Sequence, residues 1–422
     1  MLGNALNARL DDLLAADDAV RVGRYPGIKP GRQPVHTVYV PADQYHHGTV
    51  GEWGEAAIES LEEFGPVPGF SGAEWDELEP LVHDKLNAEP IEDLRIDFED
   101  GYGNRPDEVE DEHVILAAQA MSASHADRSA PLAIGVRIKS LERSTRARAV
   151  RSLDLFLDRL LKPGTGLPDR PGNSGIPAGF RITLPKVSSV VQVAAMVELC
   201  SALELEYGLA DGLLRFEIQV EMPQSILGPD GAATVAQMIH SSAGRCAGLH
   251  FGTYDYTAAV GIAAAFQNSE HPAADHAKQV MQVAAAGTGI HLSDGSTNIV
   301  PVGDVDAVRS AWQLHARLVR RSLERGFYQG WDLHPAQLPS RYAATFAFYR
   351  SGLSAAVERL QRYLSRSTSG IMDEPATAQA LARYLSRGLD CGAFDENVLA
   401  EAVPANGGPL DRNLLDRLSQ GR

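Results

Sequence analysis

The amino-acid sequence predicts an α/β fold, a (β/α)8 barrel, from three observations. Short apolar runs bounded by turn residues alternate with Ala- and Leu-rich segments of helical period, which is typical of a parallel sheet. Eight such units span about 300 residues, which suits a barrel of this kind. The first run is not followed by the glycine fingerprint of a doubly wound sheet, the competing architecture. The predicted strands are 36–40, 94–98, 132–138, 180–184, 216–220, 248–251, 289–292 and 330–333.

The remaining segments predict the helices and divide the chain into three regions. Residues 1–35 are expected to form an N-terminal helix and arm, 36–340 the barrel, and 341–422 a C-terminal helical extension or lid. The connection at about 42–93 is too long for a plain βα unit, so it is expected to hold a helical insertion. The predicted helices are 51–64 and 75–88 in the insertion, 109–122, 144–161, 187–205, 231–241, 276–286 and 305–325 in the barrel, and 342–365 and 376–389 in the extension.

The composition limits the classes of binding partner and the cellular compartment that we expect. The 422 residues carry a formal net charge of −17, which argues against nucleic acid or an anionic membrane as partner. The three cysteines are far apart and lack metal-type spacing, which suits a reducing compartment. No apolar run reaches membrane-spanning length, and the first residues lack a secretory apolar region. We therefore expect a cytoplasmic protein.

Two carboxylates stand at the ends of strands that otherwise read as buried. Glu221 closes the run 215–221, and Asp255 follows the run 248–254. A buried carboxylate must be paired, hydrogen-bonded or bound to a metal. The carboxyl ends of barrel strands share one face, and two carboxylates with water suit Mg²⁺, or Mn²⁺. The alternative is that each residue caps the following helix or pairs with a lysine.

Further polar residues fall at the same predicted face. Glu99 and Asp100 follow the second strand and could order the waters of a metal ion. Arg137 offers a planar fork for the carboxylate of a 2-oxo acid, although a buried ion pair is its alternative role. Lys186 is more consistent with pairing to a carboxylate than with a Schiff-base role, because a metal would already serve as electron sink. A metal and an arginine together would stabilise the enolate formed when a carbon–carbon bond breaks beside a carbonyl.

Six motifs in order resemble the citrate lyase β-subunit and HpcH/HpaI aldolase family, which includes malyl-CoA lyases. This resemblance covers residues 36–340 and implies a barrel of the phosphoenolpyruvate/pyruvate type. It further implies that Glu221 and Asp255 hold Mg²⁺ and that Arg137 grips the oxo acid. The motifs are Asp97-Phe-Glu-Asp-Gly101, Val136-Arg-Ile138, Leu184-Pro-Lys-Val187, Val220-Glu221, Phe251-Gly-Thr-Tyr-Asp-Tyr256 with Gly261, and Leu333-His-Pro-Ala-Gln337.

Some segments are also similar to the malate synthases, which carry a catalytic aspartate in a Met-Glu-Asp segment after the barrel. The segment Met372-Asp-Glu-Pro-Ala-Thr377 lies in the predicted extension. By this resemblance Glu374 or Asp373 is a candidate base that a lid could bring to the metal. The alternative is an exposed charge at a helix N-terminus. Gly252 and Thr253 are expected, with Lys186, to contact substrate.

The leading hypothesis is a Mg²⁺-dependent carbon–carbon lyase, or its condensing reverse. It would act on a hydroxy-acyl-CoA thioester or a hydroxy-oxo acid, with a small oxo acid such as glyoxylate or pyruvate as partner. The alternatives are a malate-synthase-like condensing enzyme and a non-catalytic barrel that binds a metabolite. The family resemblance also suggests a homo-oligomer.

Overall fold

The computed structural model of the protein describes residues 3–28, 31–162, 175–365, 374–405 and 407–421. Eight parallel strands lie in one sheet in the order β7-β6-β5-β4-β3-β2-β1-β8. Each predicted strand coincides with an observed one to within a few residues. The strands are β1 His36–Pro41, β2 Asp93–Asp97, β3 Ala133–Arg137, β4 Arg181–Leu184, β5 Phe216–Val220, β6 Cys246–Phe251, β7 His291–Ser293 and β8 Gly330–Asp332.

The sheet curls until its two ends approach each other. Strand β1 pairs with β8 through the register His36↔Gly330, and an isolated parallel bridge joins Ser293 of β7 to Gln329 just before β8. All neighbouring strands run parallel, so every strand ends at the same mouth of the barrel. The predicted (β/α)8 barrel is therefore confirmed.

Helices connect the strands and cover the outside of the barrel. The apolar core lies between the sheet and these helices, as expected when both faces of a parallel sheet are covered. No described helix combines the length and the apolar character required to span a lipid bilayer. The helices are α1 Asn4–Arg24, α2 Thr49–Phe64, α3 Gly72–Ala88, α4 Asp107–Ala126, α5 Arg146–Leu160, α6 Val190–Glu206, α7 Pro223–Ile226, α8 Thr234–Ser241, α9 Thr253–Ala259, α10 Pro272–Ala285, α11 Val305–Glu324, α12 Leu338–Leu364, α13 Pro375–Cys391, α14 Glu396–Glu401 and α15 Arg412–Ser419.

The C-terminal helices pack beyond the end of the barrel where the strands begin. Helix α12 follows β8, and the Tyr342 hydroxyl near its start donates to the carbonyl of Pro90, just before β2. The helix continues past this level for 22 further residues, about 33 Å. Helix α13 returns alongside it, since the Tyr384 hydroxyl donates to the carbonyl of Phe348. The C-terminal helices thus lie at the face opposite the barrel mouth.

The interior of the barrel near the starts of the strands is polar rather than apolar. Arg95 is fully buried and forms ion pairs with Asp93 on the same strand and with Glu217 on β5, across the barrel interior. Its Nη2 lies 2.6 Å from Oε1 of Glu217, and its Nε lies 3.1 Å from the Thr183 hydroxyl. His250 also contacts Glu217, at 3.2 Å. Burying this many charges is tolerated because each one is paired and hydrogen-bonded.

Candidate metal and oxo-acid site

Four carboxylates surround one ammonium group at the mouth of the barrel. Lys186 follows β4, and its Nζ lies 2.8 Å from Oδ2 of Asp255 and 2.9 Å from Oδ2 of Asp100. The nearest oxygens of Glu99 and Glu221 lie 3.7 and 3.8 Å from the same nitrogen. These residues come from the loops after β2, β4, β5 and β6, so the closed sheet brings distant segments together. Lys186 pairs with carboxylates, which is one of its two expected roles, and its contact with substrate stays a prediction.

Glu221 is held rigidly at the centre of this cluster. Its side chain is completely buried, and its two oxygens accept hydrogen bonds from the backbone N–H of Lys186 at 2.7 Å and from Nε2 of Gln219 at 2.5 Å. Lys186 has a φ of 53°, an uncommon value for a residue with a side chain, and such strained residues often lie at functional sites. Gly252 is required here because a Cβ at this position would lie 2.6 Å from Oε2 of Glu221.

Burial shifts the pKa values of the charged groups in this cluster. Burial raises the pKa of Glu99 to about 8, against the opposing effect of Arg137 and Lys186. Burial likewise raises the pKa of Glu221 to about 7, although Lys186 lowers it, and the charge of Asp255 adds to the rise. Burial acts against the charge of Lys186, yet Glu221 and Glu99 outweigh it and raise the pKa of the ammonium. Burial is the main cause of both rises, and a cation bound among these carboxylates would favour their ionised forms.

Arg137 lies beside the cluster with one edge of its guanidinium already engaged. Its Nε and Nη2 each donate to an oxygen of Asp97, both at 2.6 Å. Its Nη1 lies 3.4 Å from Oε2 of Glu99 and donates to Oε1 of Gln219 at 3.4 Å. The guanidinium also stacks 4.8 Å from the ring centre of Tyr39. Arg137 is therefore a buried ion-pair partner whose Nη1 edge faces the carboxylates.

Asp97 organises the loop that carries two of the carboxylates. Besides pairing with Arg137, its oxygens accept hydrogen bonds from the backbone N–H groups of Glu99 at 2.9 Å and Gly101 at 2.8 Å. Asp97 is almost completely buried, whereas the side chain of Asp100 is about half exposed. This arrangement assigns Asp97 a structural role and leaves Glu99 and Asp100 available at the mouth.

The donors of the cluster fit a hard divalent cation. All are carboxylate oxygens, the ligand type that Mg²⁺ prefers, and their charge exceeds that of the single ammonium. The Lys186 ammonium lies between them. Within the described ranges, no three His, Cys, Asp or Glu side chains have the spacing of a ready metal site. A cation held by Glu221 and Asp255 would therefore require Lys186 to withdraw.

Thr253 and Glu374, two further predicted site residues, have contrasting positions. The Thr253 hydroxyl is buried without a hydrogen-bond partner among the described residues, and it packs against Gly295, where an added Cβ would lie 2.1 Å from it. Glu374 precedes α13, at the end of that helix far from the barrel, and its side chain makes no capping hydrogen bond. One chain therefore does not bring Glu374 to the carboxylate cluster. Asp373 lies outside the described residues.

Gln219 was missed by the sequence reasoning although it contacts both Glu221 and Arg137. Glu217, Gln219 and Glu221 alternate along β5 and therefore point into the barrel on the same side. The sequence predicts only Glu221 as a site residue, because the run 215–221 resembles an apolar strand with one terminal carboxylate. The two-residue alternation was the signal that could have identified the others.

Comparison with protein families gives one match, to the model described as a domain of unknown function (DUF6986), over residues 13–413. A search of the curated proteins gives no match.

Several solved structures have a similar fold at low sequence identity. A citrate lyase from Burkholderia xenovorans LB400 is 19% identical with a TM-score of 0.57, covering 89% of this chain and 98% of its own. The malate synthase of Haloferax volcanii, in its native form with 3 mM glyoxylate, is 12% identical with a TM-score of 0.52, covering 94% and 100%. Its lead(II) complex is 14% identical with a TM-score of 0.50, covering 86% and 93%. The barrel fold implied by the six motifs is thus confirmed.

Proposed function

We propose that this chain, which belongs to the DUF6986 family, is a Mg²⁺-dependent carbon–carbon lyase or the corresponding condensing enzyme. Its substrate would be a hydroxy-acyl-CoA thioester or a hydroxy-oxo acid, with a small 2-oxo acid as one product. The observation that carries this proposal is the convergence of four carboxylates at the barrel mouth, beside the Nη1 edge of Arg137.

Glu221 and Asp255 are the residues that would hold the metal. Glu221 supplies a buried, rigid oxygen donor, and Asp255 supplies a more exposed one from the first turn of α9. Bound there, Mg²⁺ would supply Lewis-acid stabilisation of negative charge on the oxygens of an oxo acid. Structures of the Haloferax volcanii malate synthase with glyoxylate and with lead(II) support an oxo acid and a divalent metal as ligands of this fold.

Residues around the proposed metal position would orient the substrate. Asp97 fixes the guanidinium of Arg137, so that its Nη1 edge can bind an oxo-acid carboxylate without being reordered. Glu99 and Asp100 would accept hydrogen bonds from waters at the metal.

The proposed cleavage converts the substrate hydroxyl to a carbonyl and releases the other fragment as an enolate. The substrate hydroxyl loses its proton to a base, and the electron pair on that oxygen forms the new carbonyl. The adjacent carbon–carbon bond breaks, and its electron pair passes to the other fragment as an enolate. Protonation of that enolate completes the reaction, and the condensing direction reverses each step. In a hydroxy-oxo acid the enolate is that of the small oxo acid, whereas in a thioester it belongs to the acyl group.

Metal and oxo acid are expected to bind cooperatively. In calorimetric titrations of EDTA-treated protein, pyruvate or glyoxylate should tighten Mg²⁺ binding by about tenfold, because both ligands share one site. Asp255→Asn should remove this coupling. Asp306→Asn is the matched control, since Asp306 is exposed in the first turn of α11 and should leave the titration unchanged. No Mg²⁺ binding by the wild type would contradict the proposal and favour the non-catalytic barrel.

Proton exchange distinguishes the two substrate classes. If the protein forms the enolate of the oxo acid, the methyl protons of pyruvate should exchange with deuterated water in a Mg²⁺-dependent manner, observable by NMR. Cooperative binding without exchange would instead favour the thioester substrate, for which the oxo acid is the electrophile.

Glu374→Gln is expected to leave Mg²⁺-dependent turnover within about twofold of the wild type, because α13 places this residue beyond the opposite end of the barrel. The measurement is the rate of thioester or hydroxy-oxo acid cleavage at saturating metal. Loss of turnover with intact Mg²⁺ binding would contradict this expectation. It would support the malate-synthase-like alternative, with the base supplied by another subunit.

A further inference from the structure

A second polar cavity lies at the face of the barrel opposite the carboxylate cluster. One part, of about 340 Å³, is lined by residues at the starts of the strands, including Arg181, Arg215 and His291. The adjoining part, of about 250 Å³, lies between the barrel and α13 and includes Arg383 and Arg387. Both parts share His291, so they form one region between the barrel and its C-terminal helices.

Four arginines at this cavity have no carboxylate partner within the described parts of the chain. Arg181 and Arg215 donate only to backbone carbonyls, those of Phe180 at 2.7 Å and Cys246 at 3.2 Å. Arg383 donates to the Ser419 carbonyl at 3.0 Å and to the Gln379 side-chain oxygen at 3.3 Å. Arg387 stacks 3.9 Å from the ring centre of Tyr328. Arginines that face a cavity without a counter-charge have free donors for a ligand.

The acidic residues that line this cavity are already paired with other cations. Glu217 and Asp93 neutralise the buried Arg95, and Glu217 also contacts His250. At the other end, Asp390 and Asp416 both pair with Arg412, with the closer oxygen 2.5 Å from Nη2. Together with Arg95 and Arg412, the four arginines give six positive charges against these four carboxylates, so two positive charges remain. The cavity is therefore positive in a chain whose formal net charge is −17.

The arginines also repel one another. Burial lowers the pKa of Arg181, and the neighbouring Arg215 lowers it further. Burial and the neighbouring Arg387 likewise lower the pKa of Arg383. Burial together with Arg387 lowers the pKa of His291 to about 4, against the weaker opposing effect of Glu217. Holding like charges together in a half-buried site destabilises the fold unless a ligand of opposite charge compensates.

We propose that the cavity between the strand starts and α13 binds a small organic polyanion with two or more phosphate or carboxylate groups. The arginine fork matches both oxyanions in a planar, two-point contact, which a lysine cannot provide. Two arginines come from the barrel and two from α13, so one ligand with separated charges could bridge them. The site lies across the barrel from the carboxylate cluster, and its ligand is therefore distinct from the proposed substrate.

The proposal is tested by calorimetric titration of the full chain, without Mg²⁺, with inorganic pyrophosphate and separately with citrate. We expect at least one probe to bind, and Arg181→Gln and Arg387→Gln each to weaken binding by about tenfold. The matched control is Arg151→Gln on α5, which removes an exposed arginine paired with Asp111 and should leave the affinity unchanged. Binding of pyrophosphate alone assigns a phosphate ligand, and binding of citrate alone assigns a polycarboxylate. Failure of both probes, or equal affinity in all variants, overturns the proposal.

Thermal unfolding in a buffer free of multivalent anions gives a second readout that needs no ligand. Arg181→Gln should raise the unfolding midpoint, because it removes one of the mutually repelling charges, whereas Arg151→Gln should not. A lower midpoint for Arg181→Gln than for Arg151→Gln would show that the cavity arginines are compensated, contrary to the proposal. Neither the anion titration nor the thermal unfolding depends on turnover. The failure of the polyanion proposal is therefore distinguishable from the failure of the proposed lyase function.

Discussion

Glu221→Gln is expected to weaken Mg²⁺ binding by about 100-fold or more while leaving the metal-free protein folded. Changes to residues that only support a metal ligand already reduce affinity 10- to 100-fold in other proteins, and Glu221 is proposed as a ligand itself. Its side chain is fully buried beside Glu99, Asp255 and Lys186. Glutamine keeps the size of the side chain but removes the negative charge. That charge is what the metal requires of this ligand.

The measurement is a Mg²⁺ titration by calorimetry, together with the free energy of unfolding in urea without metal. The fold should lose no more than about 1–3 kcal/mol, because glutamine keeps one of the two oxygens that accept from the Lys186 N–H and from Nε2 of Gln219. Glu206→Gln on the surface of α6 is the matched control and should change neither quantity. Normal Mg²⁺ affinity in Glu221→Gln would mean that the metal, if it binds, is held elsewhere.

The barrel was predictable from the sequence because its signals are local. Each strand is a short apolar run bounded by turn residues, and each helix shows its own period, so the alternation identifies a parallel sheet. The missing glycine fingerprint after the first strand then favours the barrel over a doubly wound sheet. The carboxyl ends of parallel strands must share one face. The convergence of Glu221, Asp255, Glu99 and Asp100 on Lys186 therefore follows from strand ends that the sequence already marks.

Two features of the site depend on three-dimensional packing and were not predicted. The motif containing Glu374 was expected to act as part of a lid, but α12 runs 27 residues and carries the chain past the strand starts. A helix period gives length and not the direction in which the helix leaves the barrel. Arg137 was expected to bind an oxo acid or to form a buried ion pair, but the sequence did not identify Asp97 as the partner that occupies one edge of its guanidinium. Pairing across neighbouring strands depends on their register, which the sequence pattern of one strand does not contain.

The polar interior is the part of the fold whose loss should be most damaging. Glu217→Ala is expected to destabilise the protein by about 3 kcal/mol or more, because it leaves Arg95 buried with too little compensating charge. The His250 ring and the Thr183 hydroxyl would also lose an acceptor at about 3.2 and 3.1 Å. Since Glu217 lies on β5 with Gln219 and Glu221, the loss should also loosen the metal-binding end of this strand.

The pH dependence of unfolding distinguishes this ion pair from simple packing. Burial acts to raise the pKa of Glu217, but Arg95 and His250 outweigh it and hold that pKa below its ordinary value of 4.5. The stability contributed by this carboxylate is therefore present above about pH 4.5 and is lost as the pH falls further. Urea unfolding from neutral to acidic pH should show a smaller acid-induced loss in Glu217→Gln than in the wild type. Glu62→Gln, an exposed control on α2, should follow the wild-type profile. An identical profile for all three proteins would mean that Glu217 does not stabilise the native state through its charge, and that the barrel interior tolerates Arg95 by other contacts.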